Sequence, residues 1–74
     1  MRILVNGGVK ECEEGISLSD LIELLELQPQ RIAVELNREV VRRGDWKSTV
    51  LRNEDRLEIV HFVGGGSGFS SERK

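Results

Sequence analysis

The groups in this sequence with chemistry to offer are few: one thiol, Cys12; one imidazole, His61; the carboxylates Glu23 and Glu26; and the bare backbone of Gly64-Gly65-Gly66. A nucleophilic site needs a thiol or hydroxyl within reach of a base. His61 has no Cys or Ser nucleophile near it and reads as a structural or solvent-facing residue. Cys12 lies in a strand-like run and reads as a small packed hydrophobe. As the only cysteine it cannot form an internal disulfide, so nothing asks for an oxidising compartment. Glu23 and Glu26 read as a solvated face that can also serve charge recognition. No spacing suits a metal, and no acid–base pair or nucleophile stands out, so the expected catalytic and metal sets are both empty.

What remains is the glycine run. Arg56-Leu57-Glu58-Ile59-Val60-His61-Phe62-Val63 passes straight into Gly64-Gly65-Gly66 with no turn residue, cap or proline between. Glycine-rich backbone can be a flexible linker. It can equally be a tail that enters a narrow channel in a partner, where a Cβ would clash. It is not a phosphate-binding loop, because Gly64-Gly65-Gly66-Ser67-Gly68 precedes no helix and holds no GKS/T pattern.

The elements that must carry this tail fit one small domain. With 74 residues there is no room for a second, and a large enclosed active site is not expected. A domain this small draws only about 3–5 kcal/mol from its core. That weighs toward a carrier or binding protein rather than a self-sufficient enzyme. Thirteen acidic residues against eleven Lys and Arg give a formal net charge of −2, with the signs mixed along the chain. A nucleic-acid footprint needs a clustered basic face, so no nucleic-acid partner is expected. The N-terminal apolar run is too short for a signal peptide, and no stretch spans a membrane, so a cytoplasmic protein with no membrane partner is expected.

Along the chain, Arg2–Val5 and Val9–Glu13 flank Asn6-Gly7, the favoured pair for a type I′ hairpin turn. The first run reads as a central strand and the second as an edge. Ser17 with Asp20 three residues on resembles a capping box. Leu18, Leu21, Ile22 and Leu25 then follow the spacing of an amphipathic helix, widened by Leu24 and Leu27. Pro29 should stop that helix near Leu27. Arg31–Asn37 alternates as a half-buried strand, with Ile32, Val34 and Leu36 on one face. Asn37-Arg38-Glu39 turns into a short strand at Val40-Val41. A loop or short helical turn over Arg42–Thr49 holds Trp46, read as a packing residue. Asn53-Glu54-Asp55 turns into the last strand at Arg56. A hairpin, one helix and further strands give an α+β fold, a mixed four- to five-stranded sheet packed on one main helix. A right-handed crossover through the helix is expected to leave the next strand parallel to the first. In the last strand, alternation points Leu57 and Ile59 inward and Glu58, Val60 and Phe62 outward. Val60, Phe62 and Val63 therefore form a candidate docking patch just before the glycines.

Taken together, these marks resemble the ubiquitin-like (β-grasp) sulfur carriers, specifically the thiamin-biosynthesis sulfur carrier (ThiS) family. The resemblance runs from Met1 to Gly66. It rests on Ile3-Leu4-Val5-Asn6-Gly7, the single leucine-rich helix and Ile32-Ala33-Val34-Glu35-Leu36-Asn37. It continues through Val40-Val41-Arg42, Trp46 and Glu54-Asp55-Arg56-Leu57-Glu58-Ile59 to the diglycine Gly65-Gly66. The small subunit of molybdopterin synthase shares the fold and the Gly-Gly end but has a longer, more helical middle. The family resemblance implies a protein that is modified and does not catalyse. An E1-like adenylating enzyme would insert Gly64, Gly65 and Gly66 and activate the Gly66 carboxylate with its own ATP and Mg²⁺. Sulfur from a cysteine desulfurase system would then leave a thiocarboxylate, for delivery to thiazole synthase. This chain would bind no cofactor itself. Alternatives are a carrier serving another pathway, such as molybdopterin, and a non-covalent β-grasp interaction module.

One departure matters. A member of that family normally ends at its second terminal glycine, whereas this chain continues through Ser67-Gly68-Phe69-Ser70-Ser71-Glu72-Arg73-Lys74. Gly66 is then an amide with no carboxylate to adenylate. A processing protease cutting after Gly66 would resolve this. The extension could also be an added sequence, or mark a protein that has lost sulfur transfer. Domain 1–66 is thus followed by 67–74, expected to be disordered because it is small and polar apart from Phe69.

Overall fold

The computed structural model describes residues 1–63 and the backbone of the strand Ser70–Arg73. Five strands among residues 1–63 form a mixed sheet: β1 (Arg2–Val5), β2 (Gly8–Glu11), β3 (Ile32–Leu36), β4 (Glu39–Val41) and β5 (Arg56–Val63). Their spatial order is β2-β1-β5-β3-β4. One α-helix, α1 (Leu18–Leu24), and 3₁₀ segments at Pro29–Arg31 and Arg43–Ser48 complete the domain. No helix among the described residues is long and apolar enough to cross a membrane.

The two hairpins are set by local backbone chemistry. Asn6 (φ 50) and Gly7 (φ 85) both take positive φ and join β1 to β2 at Val5↔Gly8, as a two-residue primed turn requires. Asn37 (φ 51) and Arg38 (φ 75) do the same between β3 and β4. The outer strands β2 and β4 are short and largely exposed and carry Lys10, Glu11 and Glu39, which blunts their edges against pairing with other chains.

The α1 helix starts as expected. Ser17 sits at the N-cap with ψ 160, and its hydroxyl accepts the Asp20 N–H at 3.0 Å. It ends sooner than expected, at Leu24, and Pro29 is not the cause. The Glu26 N–H donates to Glu23 O at 3.0 Å and the Leu27 N–H to Ile22 O at 3.3 Å, with Glu26 at φ 60. This is a Schellman turn with glutamate where glycine is usual. Replacing Glu26 by glycine removes the left-handed penalty of about 1 kcal/mol, so Glu26→Gly should raise the melting temperature by a few degrees. Thermal unfolding followed by circular dichroism checks it.

The core lies between α1 and one face of the sheet: Ile3, Leu18, Leu21, Ile22, Ile32, Val34, Leu51, Leu57 and Ile59, with Trp46 closing one side. The Trp46 indole N–H donates to Val41 O at 2.9 Å, so its polar edge is satisfied although the ring is buried. Residues 49–51 are tied to the start of the helix, with Leu18 N–H donating to Thr49 O and Leu51 N–H to Ile16 O.

The expected strand directions need one correction. The strand after the helix, β3, is antiparallel to β5, while β5 is parallel to β1, so β3 is antiparallel to β1. The crossover links the strand that enters the helix to the one that leaves it. That entering strand is β2, which already runs opposite to β1. The parallel neighbour of β1 is therefore the last strand.

Candidate functional site: the last strand and its approach to the glycines

The central strand of the domain, β5, is the one that leads to Gly64. On one side β3 pairs with it from Leu57 to His61. On the other, β1 pairs only at Arg56 and Leu57 and then turns away at Asn6. Two asparagines finish what the short neighbours leave open. The Asn6 N–H donates to Leu57 O at 2.8 Å. Its side chain then acts as one more peptide group: Oδ1 accepts the Ile59 N–H at 2.6 Å and Nδ2 donates to Ile59 O at 3.2 Å. From the β3 side, Asn37 N–H donates to Arg56 O at 2.8 Å, and Asn37 Oδ1 accepts the Arg56 N–H at 3.0 Å. Asn37 Nδ2 also donates to Asp55 Oδ1 at 3.0 Å. Asparagine suits both places because it tolerates positive φ and carries an amide.

The sequence pattern marks both residues as turn formers. Their second role, holding a strand 19 to 53 positions away, carries no local signal. Asn6→Ala strips both partners from the Ile59 backbone and puts a Cβ-bearing residue with no compensating amide at positive φ. The expected cost is about 2–4 kcal/mol, read as a lower denaturant midpoint with an unchanged slope.

Alternation along β5 places Leu57 and Ile59 in the core, as expected. Of the candidate docking residues, Phe62 is half-buried and the Val63 side chain lies outside what is described. Val60 differs from expectation. It is 9% exposed, yet stands apart from the cluster beneath α1. In register it stands between Ala33 of β3 and Arg73. Arg73 belongs to a sixth strand, β6 (Ser70–Arg73), which pairs antiparallel with Val60–Val63. Within the segment 67–74, expected to be disordered, the backbone of Ser70–Arg73 is described as this strand and the other residues lie outside the described ones. Beyond Ile59 the β1 side of β5 has unpaired backbone groups, and they supply the ladder that the polar composition of this segment did not suggest. Gly64, Gly65 and Gly66 lie outside the described residues.

The remaining candidates do not assemble into a reaction centre. His61 is half-buried, and its Nδ1 has no hydrogen-bond partner among the described residues. Cys12 is a half-buried free thiol packed against the core; its carbonyl accepts the N-terminal ammonium at 2.8 Å. Glu23 and Glu26 are exposed. Among the described residues no group of three or more His, Cys, Asp or Glu gathers to hold a metal.

A mixed sheet whose first five strands take the order β2-β1-β5-β3-β4, one main helix, and a central fifth strand running into glycines define a ubiquitin-like β-grasp domain. The ThiS family model matches residues 3–66. The crystal structure of the thiamine biosynthesis protein ThiS from Geobacter metallireducens superposes with a TM-score of 0.79 at 32% identity, covering 89% of this chain and all of that one. Sulfur carrier protein ThiS of Escherichia coli is 26% identical over 66 residues, which is 89% of this chain and the whole of that protein. A thiazole synthase of Magnetococcus marinus is 42% identical over 66 residues, and there the chain spans only 20% of the relative's length. This chain belongs to the ThiS family, the small sulfur carriers of thiamin biosynthesis.

Proposed function

We propose that this protein carries sulfur on Gly66 as a thiocarboxylate and delivers it to thiazole synthase for the thiazole ring of thiamin. An endopeptidase first cuts after Gly66, adding water across the Gly66–Ser67 amide to leave the Gly66 carboxylate. That carboxylate is a poor acceptor for sulfur because its leaving group would be oxide. An E1-like partner supplies a better one. With ATP and Mg²⁺ it forms the acyl adenylate and releases pyrophosphate; a persulfide from a cysteine desulfurase system then displaces AMP, and a thiol reductant cleaves the acyl persulfide to the thiocarboxylate. Glycine at 64, 65 and 66 leaves the acyl carbon unshielded and lets the tail pass through a narrow channel.

The observation that carries this reading is the family match, which runs through Gly66 and no further. The sheet supports it mechanically. A tail that must present its last carbonyl inside a partner needs a fixed root, and β5 is held by β1 and β3 and by both asparagines. The relationship to thiazole synthase is supported by the relatives of that name in which a segment like this chain makes up about a fifth of the length.

The test is reconstitution. The chain ending at Gly66, incubated with an E1-like adenylating enzyme of a thiamin sulfur carrier, ATP, Mg²⁺, a desulfurase with cysteine and a thiol reductant, should gain the mass difference between sulfur and oxygen. Unchanged mass, with the enzyme competent on its own known carrier, would remove the reading.

A further inference from the structure

Building on the carrier reading, we propose that Ser70–Arg73 is a cover strand. While attached, it occupies the open edge of β5 and flanks Val60, so cleavage after Gly66 uncovers a docking surface as well as creating a carboxylate. The edge is defined by its neighbours. Backbone groups of Leu57 and Ile59 address Asn6 on the β1 side. Strand alternation therefore turns those of His61 and Val63 to the same side, and those of Val60 and Phe62 toward β3. β1 has ended by then, and the groups of His61 and Val63 are met instead by Glu72 and Ser70. Val60 stands opposite Arg73 in the same register.

Released, the segment 67–74 is too short to persist as a separate strand. Its loss leaves two consecutive edge-facing residues, His61 and Val63, with unpaired N–H and C=O groups immediately before Gly64. It also leaves Val60 without its lateral neighbour. An apolar side chain beside an open strand edge is what an extended segment of a partner recognises: main-chain hydrogen bonds give affinity and the flanking side chain gives selectivity. The uncut chain is thereby blocked twice, by its amide at Gly66 and by its own strand on the surface through which an activating enzyme would hold the tail's root. The cover strand is displaceable because its contact with β5 is only four residues long.

Three forms separate the possibilities: the full chain, the chain ending at Gly66, and the full chain with Glu72→Pro. Proline removes the N–H that faces His61 while leaving the extension attached. The chain ending at Gly66 retains the part equivalent to the whole of the superposed Geobacter ThiS chain. The first readout needs no partner. Amide exchange at His61 and Val63 should be slow in the full chain and faster by at least about tenfold in the other two, with Val60, opposite Ala33 of β3, remaining slow as the control. Equal exchange at His61 and Val63 in all three forms would overturn the cover strand. The second readout is binding to the adenylating enzyme without ATP. The Gly66-ended chain and Glu72→Pro should both bind at least about tenfold more tightly than the full chain. If the amides are uncovered yet all three bind equally, docking does not use this surface and the inference fails while the carrier reading stands. If none binds and no thiocarboxylate forms from the Gly66-ended chain, the carrier reading itself fails.

Discussion

A strain lacking this protein, and dependent on added thiazole for growth, should be rescued by the chain ending at Gly66 and not by the full chain carrying Ser67→Pro. The expected difference is all or none. Adenylation needs a carboxylate oxygen to attack the α-phosphorus of ATP, and an amide carbonyl at Gly66 has no such anionic oxygen. Proline after the scissile bond deprives an endopeptidase of the backbone N–H it would use to seat the substrate and fixes φ there. The amide then persists. The substitution lies outside residues 1–63, so the core and both asparagine clamps are untouched, and failure to rescue cannot be assigned to unfolding if the chain accumulates normally. Growth supported by Ser67→Pro, with the extension verified as still attached, would mean that Gly66 is not the sulfur-bearing end.

The second large effect is on stability. Trp46→Ala should leave the domain largely unfolded at room temperature. Removing a buried tryptophan costs about 3–5 kcal/mol. That is about all a core of this size provides. The ring is 4% exposed and closes the side of the core between the 3₁₀ segment and α1. Its N–H also satisfies Val41 O, so that carbonyl loses its partner together with the packing. Trp46→Phe separates the contributions. It keeps most of the apolar contact and loses the hydrogen bond, for a cost of about 1–2 kcal/mol and a folded protein with a lower melting temperature. Circular dichroism at 25 °C distinguishes them: the alanine variant should lose its native spectrum and the phenylalanine variant should retain it.

Features set by neighbours in the chain were legible from residue types alone. Asn6-Gly7 announced a primed turn because both positions need positive φ. Ser17 and Asp20 announced the start of α1, and Trp46 announced itself as core. Features set by distant strands were not. Nothing near Asn6 shows that its amide will complete a ladder at Ile59, and nothing near Glu26 shows that a glutamate will take the left-handed position of a Schellman turn. The direction of β3 was misjudged by counting the crossover from β1 rather than from β2, which enters the helix. Val60 was placed outward by alternation, which holds. The strand beside it lies along the part of β5 that β1 is too short to pair with. The same geometry gives Ser70–Arg73 its place, which polar composition does not suggest: an open edge supplies hydrogen bonds to any backbone able to lie along it.

The candidate site divides in a similar way. The strand running into glycines is the one chemical feature visible in the residues themselves, and the family model matches through Gly66. What holds the strand in place became apparent only with the fold.

If Gly66 becomes the terminus that bears sulfur, the intact mass of the protein isolated from its native cells while thiamin synthesis is induced will show it. Chains ending at Gly66, some with one oxygen replaced by sulfur, are the expected result. Chains that all still carry residues 67–74 and no added sulfur would contradict it, and would leave a β-grasp interaction module in place of a carrier.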